Sequence, residues 1–116
     1  MFSCFFGSFR LRERNQKNMK TFRTYQLAIQ LYKDCQSLKL SSIAKDQFER
    51  AMLSIPLNLA EGSAKPTERD RQKFYFTALG SMREVQTILS LFANDQVVAQ
   101  ADHLAAHLYR LCHPHR

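Results

Sequence analysis

The stretch that decides the fold is TERDRQKFYFTALGSMREVQTILSLFA, residues 67–93. Its apolar side chains recur at three- and four-residue steps, the spacing of one face of an α-helix. Thr67 offers a hydroxyl that can accept from free amide groups at a helix start, and Glu68 and Asp70 place negative charge in the first turn. We therefore predict a helix from Glu68 to about Ala93, the longest in the chain.

Two apolar stripes run along this predicted helix, a width greater than one contact surface normally needs. The first contains Phe74, Ala78, Ser81, Val85, Ile88 and Phe92, and the second contains Tyr75, Leu79, Met82 and Leu89. The first predicted helix is also broadly apolar. In a monomer the surplus would be exposed, whereas in an oligomer it would form contacts between subunits. We favour self-association.

Three further segments have amphipathic helical spacing. They are residues 24–38, residues 43–65 and a C-terminal segment with Val97, Ala101, Leu104, Leu108 and Leu111 on its inner face. Ser41 or Ser42 is expected to cap the second helix, and Asn94 or Asp95 the fourth. Four helices with short connections predict an all-α, antiparallel, up-down-up-down four-helix bundle. The alternative is a three-helix core with a loose C-terminal piece.

The composition agrees with one small helical domain. The chain has 116 residues, 45% of them hydrophobic, and only three Gly and three Pro, too few turn residues for an all-β sandwich. No apolar run approaches the length that a membrane span needs. We divide the chain into a basic, disordered extension over residues 1–20 and a bundle domain over residues 21–113.

Positive charge is concentrated near the N-terminus. The net charge is +7, and residues 1–23 hold six of the 17 basic residues but one of the 10 acidic ones. A basic arm suits an anionic partner such as nucleic acid or an acidic protein, although a solvated tail explains it equally well. A translation start at Met19 would remove most of this arm.

Neither the cysteines nor the histidines give a strong enzyme signal. Cys4, Cys35 and Cys112 form no CxxC pair, and three cysteines cannot form a closed set of disulfides. Cys35 and Cys112 lie on apolar stripes, so we expect them to be small core residues in a reducing cytoplasm. His103 and His107 are four residues apart, but the glutamate of a zinc-protease HExxH motif is missing. We expect no catalytic, cofactor-binding or metal-binding residue, with a metal-dependent hydrolase as a minor alternative.

Two blocks of the chain are recognisable: RAMLSIPLNLAEGSAK, residues 50–65, and KFYFTALGSMREV, residues 73–85. With the lead-in FRTYQLAIQLYK, residues 22–33, they resemble the signature of a four-helix bundle family that includes the 23S ribosomal RNA intervening-sequence proteins. That family is related to the accessory variability determinants of diversity-generating retroelements. The resemblance implies a barrel-shaped homopentamer with a positive surface. It also implies nucleic acid and a reverse transcriptase as partners, since the accessory variability proteins bind both.

The signature residues that we interpret as structural are Pro56, Asn58, Glu61, Gly62, Gly80, Ser81 and Glu84. Pro56 lacks an amide hydrogen and crowds the preceding turn, so we predict a bend at residues 52–56. Gly62 suits a left-handed helix end or a close helix approach, and the small pair Gly80 and Ser81 also suits close approach.

Charged residues complete the functional hypothesis. We expect Arg50 to pair with Glu84, with Glu61 as a competitor. The candidate phosphate contacts, expected around the start of the third predicted helix, are Arg50, Lys65, Arg69, Arg71, Lys73 and Arg83. A solvated helix start is the alternative interpretation. The leading hypothesis is a non-catalytic, oligomeric protein that binds nucleic-acid backbone. The alternative is a scaffold that docks a reverse transcriptase or another acidic protein.

Overall fold

The computed structural model describes residues 16–114, and within them the chain forms four α-helices and no strand. The helices are α1 (Gln16–Asp34), α2 (Ser42–Ser63), α3 (Glu68–Phe92) and α4 (Asp95–Cys112). Consecutive helices pack together, and α4 also packs against α1, which closes the arrangement. The predicted all-α fold with four packed helices is therefore confirmed. The fourth helix is part of the core, so the alternative of a loose C-terminal piece is wrong.

Three helices begin where side-chain caps predict. The side chains of Ser41, Thr67 and Asn94 accept hydrogen bonds from backbone amides three residues ahead, at the starts of α2, α3 and α4. The bounds of α1 differ more from the prediction. It begins at Gln16, inside the stretch expected to be an extension, and ends at Asp34, where the chain turns through residues 35–37. Residues 1–15, which contain Cys4 and three of the six basic residues of the arm, lie outside the described residues.

One end of the bundle carries the features that matter for function. There the hydroxyl groups of Thr21 on α1 and Tyr75 on α3 hydrogen-bond at 3.1 Å. Gln72 of α3 donates to the carbonyl oxygen of Leu111 on α4 at 2.9 Å. This is the end at which α1 and α3 begin and α2 and α4 finish. We call it the connection end, because the α2–α3 connection lies there.

The core is formed by apolar side chains from all four helices. Cys35 and Cys112 are buried in it, as predicted for small core residues. Burial raises the pKa of each thiol from 9.0 to about 11, with a further contribution from Asp34 for Cys35. Both thiols are free.

The broad apolar face of α3 has an explanation within a single chain. This helix packs against α2 on one side and α4 on the other, so both of its stripes contribute buried residues to the core. Among the described residues, one member of these stripes, Phe92, is a large apolar side chain left exposed. The other large apolar residues left exposed are Ile43, Leu53, Leu57, Phe76, Leu91 and Tyr109. Apart from Phe92 at the end of the helix, the stripes of α3 are therefore buried or half-buried within one chain and give little support to self-association.

The signature residue Gly62 lies where α2 packs tightly against α3. Gly62 lies within α2 and has no positive φ, so it is not a left-handed helix end. A Cβ atom there would lie 2.7 Å from Cε1 of Tyr75 and 3.0 Å from Cβ of Phe74. The close approach predicted at Gly62 is thus present. Gly80 differs, because a Cβ atom there would meet nothing within 4 Å. Its small size is not required for packing within the chain.

Pro56 and the polar signature residues also lie on α2 and α3. The helix continues through Pro56 without a break, and the bend at residues 52–56 stays a prediction. Ser81 hydrogen-bonds to Ser54 between their hydroxyl oxygens at 2.8 Å, which links α3 to α2. Asn58 donates to the same Ser54 hydroxyl at 3.0 Å and to the Ser54 carbonyl oxygen at 2.8 Å. The Ser54–Ser81 bond fixes the register of the two helices, and the Asn58 bonds hold Ser54 from within α2.

The ion pair expected between Arg50 and Glu84 does not form. Glu61, the proposed competitor, instead lies 3.6 Å from Nζ of Lys65 on the next turn of the chain. Arg50 and Glu84 are both exposed and make no ion pair within residues 16–114. The register of α2 and α3 consequently depends on the Ser54–Ser81 hydroxyl contact rather than on an ion pair between Arg50 and Glu84.

The two helical glycines predict opposite effects of the same substitution. Gly62→Ala forces α2 away from α3 and should lower the free energy of unfolding by about 1 kcal/mol or more, because overpacking costs about 1–3 kcal/mol. Gly80→Ala enters open space and should raise it by up to about 1 kcal/mol through helix propensity. Urea unfolding of both variants provides the comparison. Stabilisation by Gly62→Ala would show that the close approach is wrong.

The buried thiol of Cys112 predicts a loss of stability at high pH. Its pKa is higher in the folded than in the unfolded chain, so its contribution is full below pH 9 and is lost between about pH 9 and 11. Cys112→Ala should reduce that loss by on the order of 1 kcal/mol. Unfolding at a series of pH values measures it. Equal pH slopes for the variant and the parent would contradict the assignment.

Candidate functional site

Four of the six predicted phosphate contacts lie at the connection end, and three of these already have partners. Nζ of Lys65 pairs with Glu61 and lies 5.2 Å from the centre of the Phe74 ring. Nζ of Lys73 is 3.7 Å from an Asp70 carboxylate oxygen. Both ion pairs are exposed, and such pairs contribute little stability. Lys65 and Lys73 can therefore exchange these partners for a phosphate at small cost.

The side chain of Arg71 has a structural role in the α2–α3 connection. Its guanidinium donates to the carbonyl oxygens of Lys65 at 3.0 Å and of Pro66 at 3.2 Å. These bonds hold the α2–α3 connection against the first turn of α3. By contrast, Arg69 is exposed and makes no hydrogen bond or ion pair with the described part of the chain. Of the two arginines, Arg69 is the better candidate for an external anion.

The other two predicted contacts are not close to the start of α3. Arg83 lies ten residues beyond Lys73 on α3, which corresponds to about 15 Å along the helix. It donates to Gln86, which in turn donates to Asp102 on α4. Arg50 lies twelve residues before Gly62 on α2, about 18 Å from the connection end. The six residues therefore occupy two levels of the bundle instead of one cluster.

A basic groove that the sequence analysis missed lies between α1 and α4. Its volume is about 310 Å³, and its lining residues are Lys20, Arg23, Thr24, His107, Arg110 and Leu111. Thr24 is buried and donates to the carbonyl oxygen of Lys20. The sequence did contain a signal, because Lys20 and Arg23 are three residues apart, as are His107 and Arg110. These two pairs of residues form one site only when antiparallel packing brings the first and last helices together.

The charged side chains that line this groove are positive, among the residues that the structure describes. Lys20, Arg23 and Arg110 make no ion pair within residues 16–114. Burial lowers the pKa of His107 below 6.5, and the charges of Arg110, His103 and Arg23 lower it further. His107 is therefore mainly neutral at pH 7. We call this arrangement the α1–α4 groove.

Within the described residues, His103 and His107 are not part of a larger metal-binding group of side chains. The rings of His103 and His107 are 4.8 Å apart between centroids, in an edge-to-face arrangement. Residues 16–114 contain no group of three or more His, Cys, Asp or Glu side chains placed to hold one metal ion. His113 packs instead against aromatic rings, stacked on Tyr109 at 4.0 Å and edge-on to Phe76 at 5.7 Å.

Comparison with known proteins gives a family assignment. None of the described helices combines the length and apolar character needed to cross a membrane. No curated protein matches the chain. A family model described as 23S rRNA-intervening sequence protein matches residues 16–113, which includes all four helices and both sides of the α1–α4 groove. The chain therefore belongs to the 23S rRNA-intervening sequence protein family.

Proposed function

We propose that this protein binds the phosphate backbone of nucleic acid through the basic connection end of its bundle, as an oligomer and without catalysing a reaction. The proposal rests on the observation that several cations at the connection end have no carboxylate partner within the described residues. Ion pairs within the described residues involve Lys65 and Lys73, while Arg69 and the three cations of the α1–α4 groove have none. The family name, which refers to 23S rRNA, supports RNA as the nucleic acid.

The position of the charge supports one binding face. The helix starts and ends that meet at the connection end bring together cations that are far apart in sequence. Arg69 and Lys73 come from the first turns of α3, and Lys20, Arg23 and Arg110 come from α1 and α4. Phosphate contacts of this kind supply affinity without reading base sequence. The expected binding is therefore strong at low salt and weakly selective.

The roles of the signature residues support binding rather than catalysis. Ser54 on α2 hydrogen-bonds to Ser81 on α3, Asn58 donates to Ser54 within α2, and Gly62 provides the close approach of the two helices. These contacts use the polar groups of the signature to hold the fold. A scaffold that docks an acidic protein on the same cations is the competing interpretation, and the binding experiment below distinguishes it.

An exposed apolar stripe on α2 supports self-association. Leu53 and Leu57 are four residues apart and therefore lie on one side of the helix, with 50% and 59% of their surfaces exposed. Contact with a second copy would remove both side chains from water. A ring of subunits would also place several connection ends on one particle, so that weak phosphate contacts act together. The family resemblance suggests five copies.

Removal of charge at the connection end should weaken RNA binding and its salt dependence. In filter binding with a structured RNA, log K should fall linearly with log salt concentration. Arg69→Ala with Lys73→Ala should reduce the magnitude of the slope by about 1–2 for each engaged subunit. Lys33→Ala with Lys39→Ala removes equal charge from the opposite end and is the matched control. Absence of RNA binding at low salt, with a protein partner retained at high salt, would favour the scaffold.

The apolar stripe predicts a change in solution mass. Leu53→Asn with Leu57→Asn should convert the oligomer to monomer, because polar side chains cannot replace two leucines in a dry contact. Ile43→Asn, an equally polar change at a more exposed residue, should leave the mass unchanged. Light scattering during size-exclusion chromatography measures both. A parent protein that is monomeric at high concentration would contradict self-association.

A further inference from the structure

The basic residues of the α1–α4 groove are arranged more regularly than isolated charges on a solvated surface need to be. Lys20 and Arg23 on α1, and His107 and Arg110 on α4, are each separated by three residues and so lie one helical turn apart. Because the two helices are antiparallel, the two pairs face a common space. Three permanent cations and one titratable ring thus line one groove.

The acidic residues within the described α1 and α4, Asp34, Asp95 and Asp102, lie outside the groove. Asp34, on α1, accepts from Gln30 and from Gln100 of α4, toward the other end of the bundle. Asp102, on α4, accepts from Gln86 on the α3 side. Among the residues that the structure describes, no Asp or Glu lines the groove itself. The mutual repulsion of its cations is therefore not offset by a carboxylate of the described chain.

We propose that the α1–α4 groove is a phosphate-binding site in which Lys20, Arg23 and Arg110 contact the phosphate oxygens and His107 lies beside them. A volume of about 310 Å³ equals the liquid volume of about ten water molecules, so a phosphate and its attached groups can enter. Arginine suits this ligand because its planar guanidinium can donate two parallel hydrogen bonds to phosphate oxygens. The proposal rests on the proposed function only where the phosphate belongs to nucleic acid.

Buried apolar and hydroxyl groups give the groove a fixed floor. Thr24 and Leu111 are both buried, and Gln72 of α3 holds the carbonyl oxygen of Leu111. The hydroxyl of Thr24 is bonded to its own helix. Cations beside such a low-dielectric floor produce a stronger local potential than cations surrounded by water.

His107 supplies a readout for the site. The charges that act on its ring are Arg110 and His103 on α4 and Arg23 on α1, all of which disfavour protonation. From α3, the other helix packed against α4, no titratable group contributes. An anion in the groove would offset the positive charges and raise the pKa of His107. Sulfate is a suitable probe, because its charge stays constant across the pH range in which histidine titrates.

The test compares thermal stabilisation by anions at matched ionic strength. Inorganic phosphate and sulfate should raise the Tm of the parent above its value in chloride, because a ligand of the folded state stabilises it. Arg23→Ala with Arg110→Ala should remove that excess, whereas the control Lys33→Ala with Lys39→Ala should keep it. Loss of both arginines should weaken apparent affinity by about tenfold or more. Because this double variant relieves repulsion, its basal Tm should not fall.

A second measurement does not depend on Tm. The ring-proton titration of His107, assigned with His107→Gln, should shift to higher pH in sulfate relative to chloride. An equal Tm rise in the groove and control variants, or no shift of the His107 titration, would overturn the proposal.

An RNA arm distinguishes the source of the phosphate. If the site takes the nucleic-acid backbone, Arg23→Ala with Arg110→Ala should weaken binding of a single-stranded RNA more than the control variant does. Unchanged RNA binding with lost sulfate stabilisation would support a site for a free phosphate group. Retained sulfate stabilisation without any RNA binding would contradict the proposed function while upholding the groove.

Discussion

The close contact between α2 and α3 is the constraint on which the other features depend. Gly62 allows the two backbones to approach, and the hydroxyl contact between Ser54 and Ser81 fixes their register. Once the register of α2 and α3 is fixed, the hydroxyl group of Tyr75 lies within hydrogen-bonding distance of Thr21 on α1. This bond holds the first helix at the same end of the bundle. A shift of one turn along α2 would separate these contacts by about 5 Å.

This register has an electrostatic consequence. It gathers the start of α1, the α2–α3 connection and the end of α4 at one end, and with them cations from three separate parts of the sequence. The carboxylates of Glu61 and Asp70 neutralise part of that charge through exposed pairs. The groove cations are outside those pairs. The fold thus converts a modest net charge into a local excess at one end.

The sequence predicted the fold well because its signals were local. Helix periodicity and the caps Ser41, Thr67 and Asn94 act over three or four residues, so they can be read without knowing what packs where. The predicted ion pair between Arg50 and Glu84 was wrong because it depended on which partners two side chains on different helices select, and local sequence does not show this. The α1–α4 groove was missed for a related reason. Lys20 and Arg110 are separated by most of the chain, and in the sequence Lys20 and Arg23 belong to the basic N-terminal arm.

The central claim is that phosphate meets the protein at the connection end. Photo-crosslinking of bound RNA that contains 4-thiouridine, followed by mass spectrometry of the peptides, tests it most directly. We expect adducts in peptides that include Lys20 to Thr24, Lys65 to Lys73 and His107 to Leu111. Adducts concentrated at Lys33, Lys39 and Lys45 at the opposite end would contradict the account.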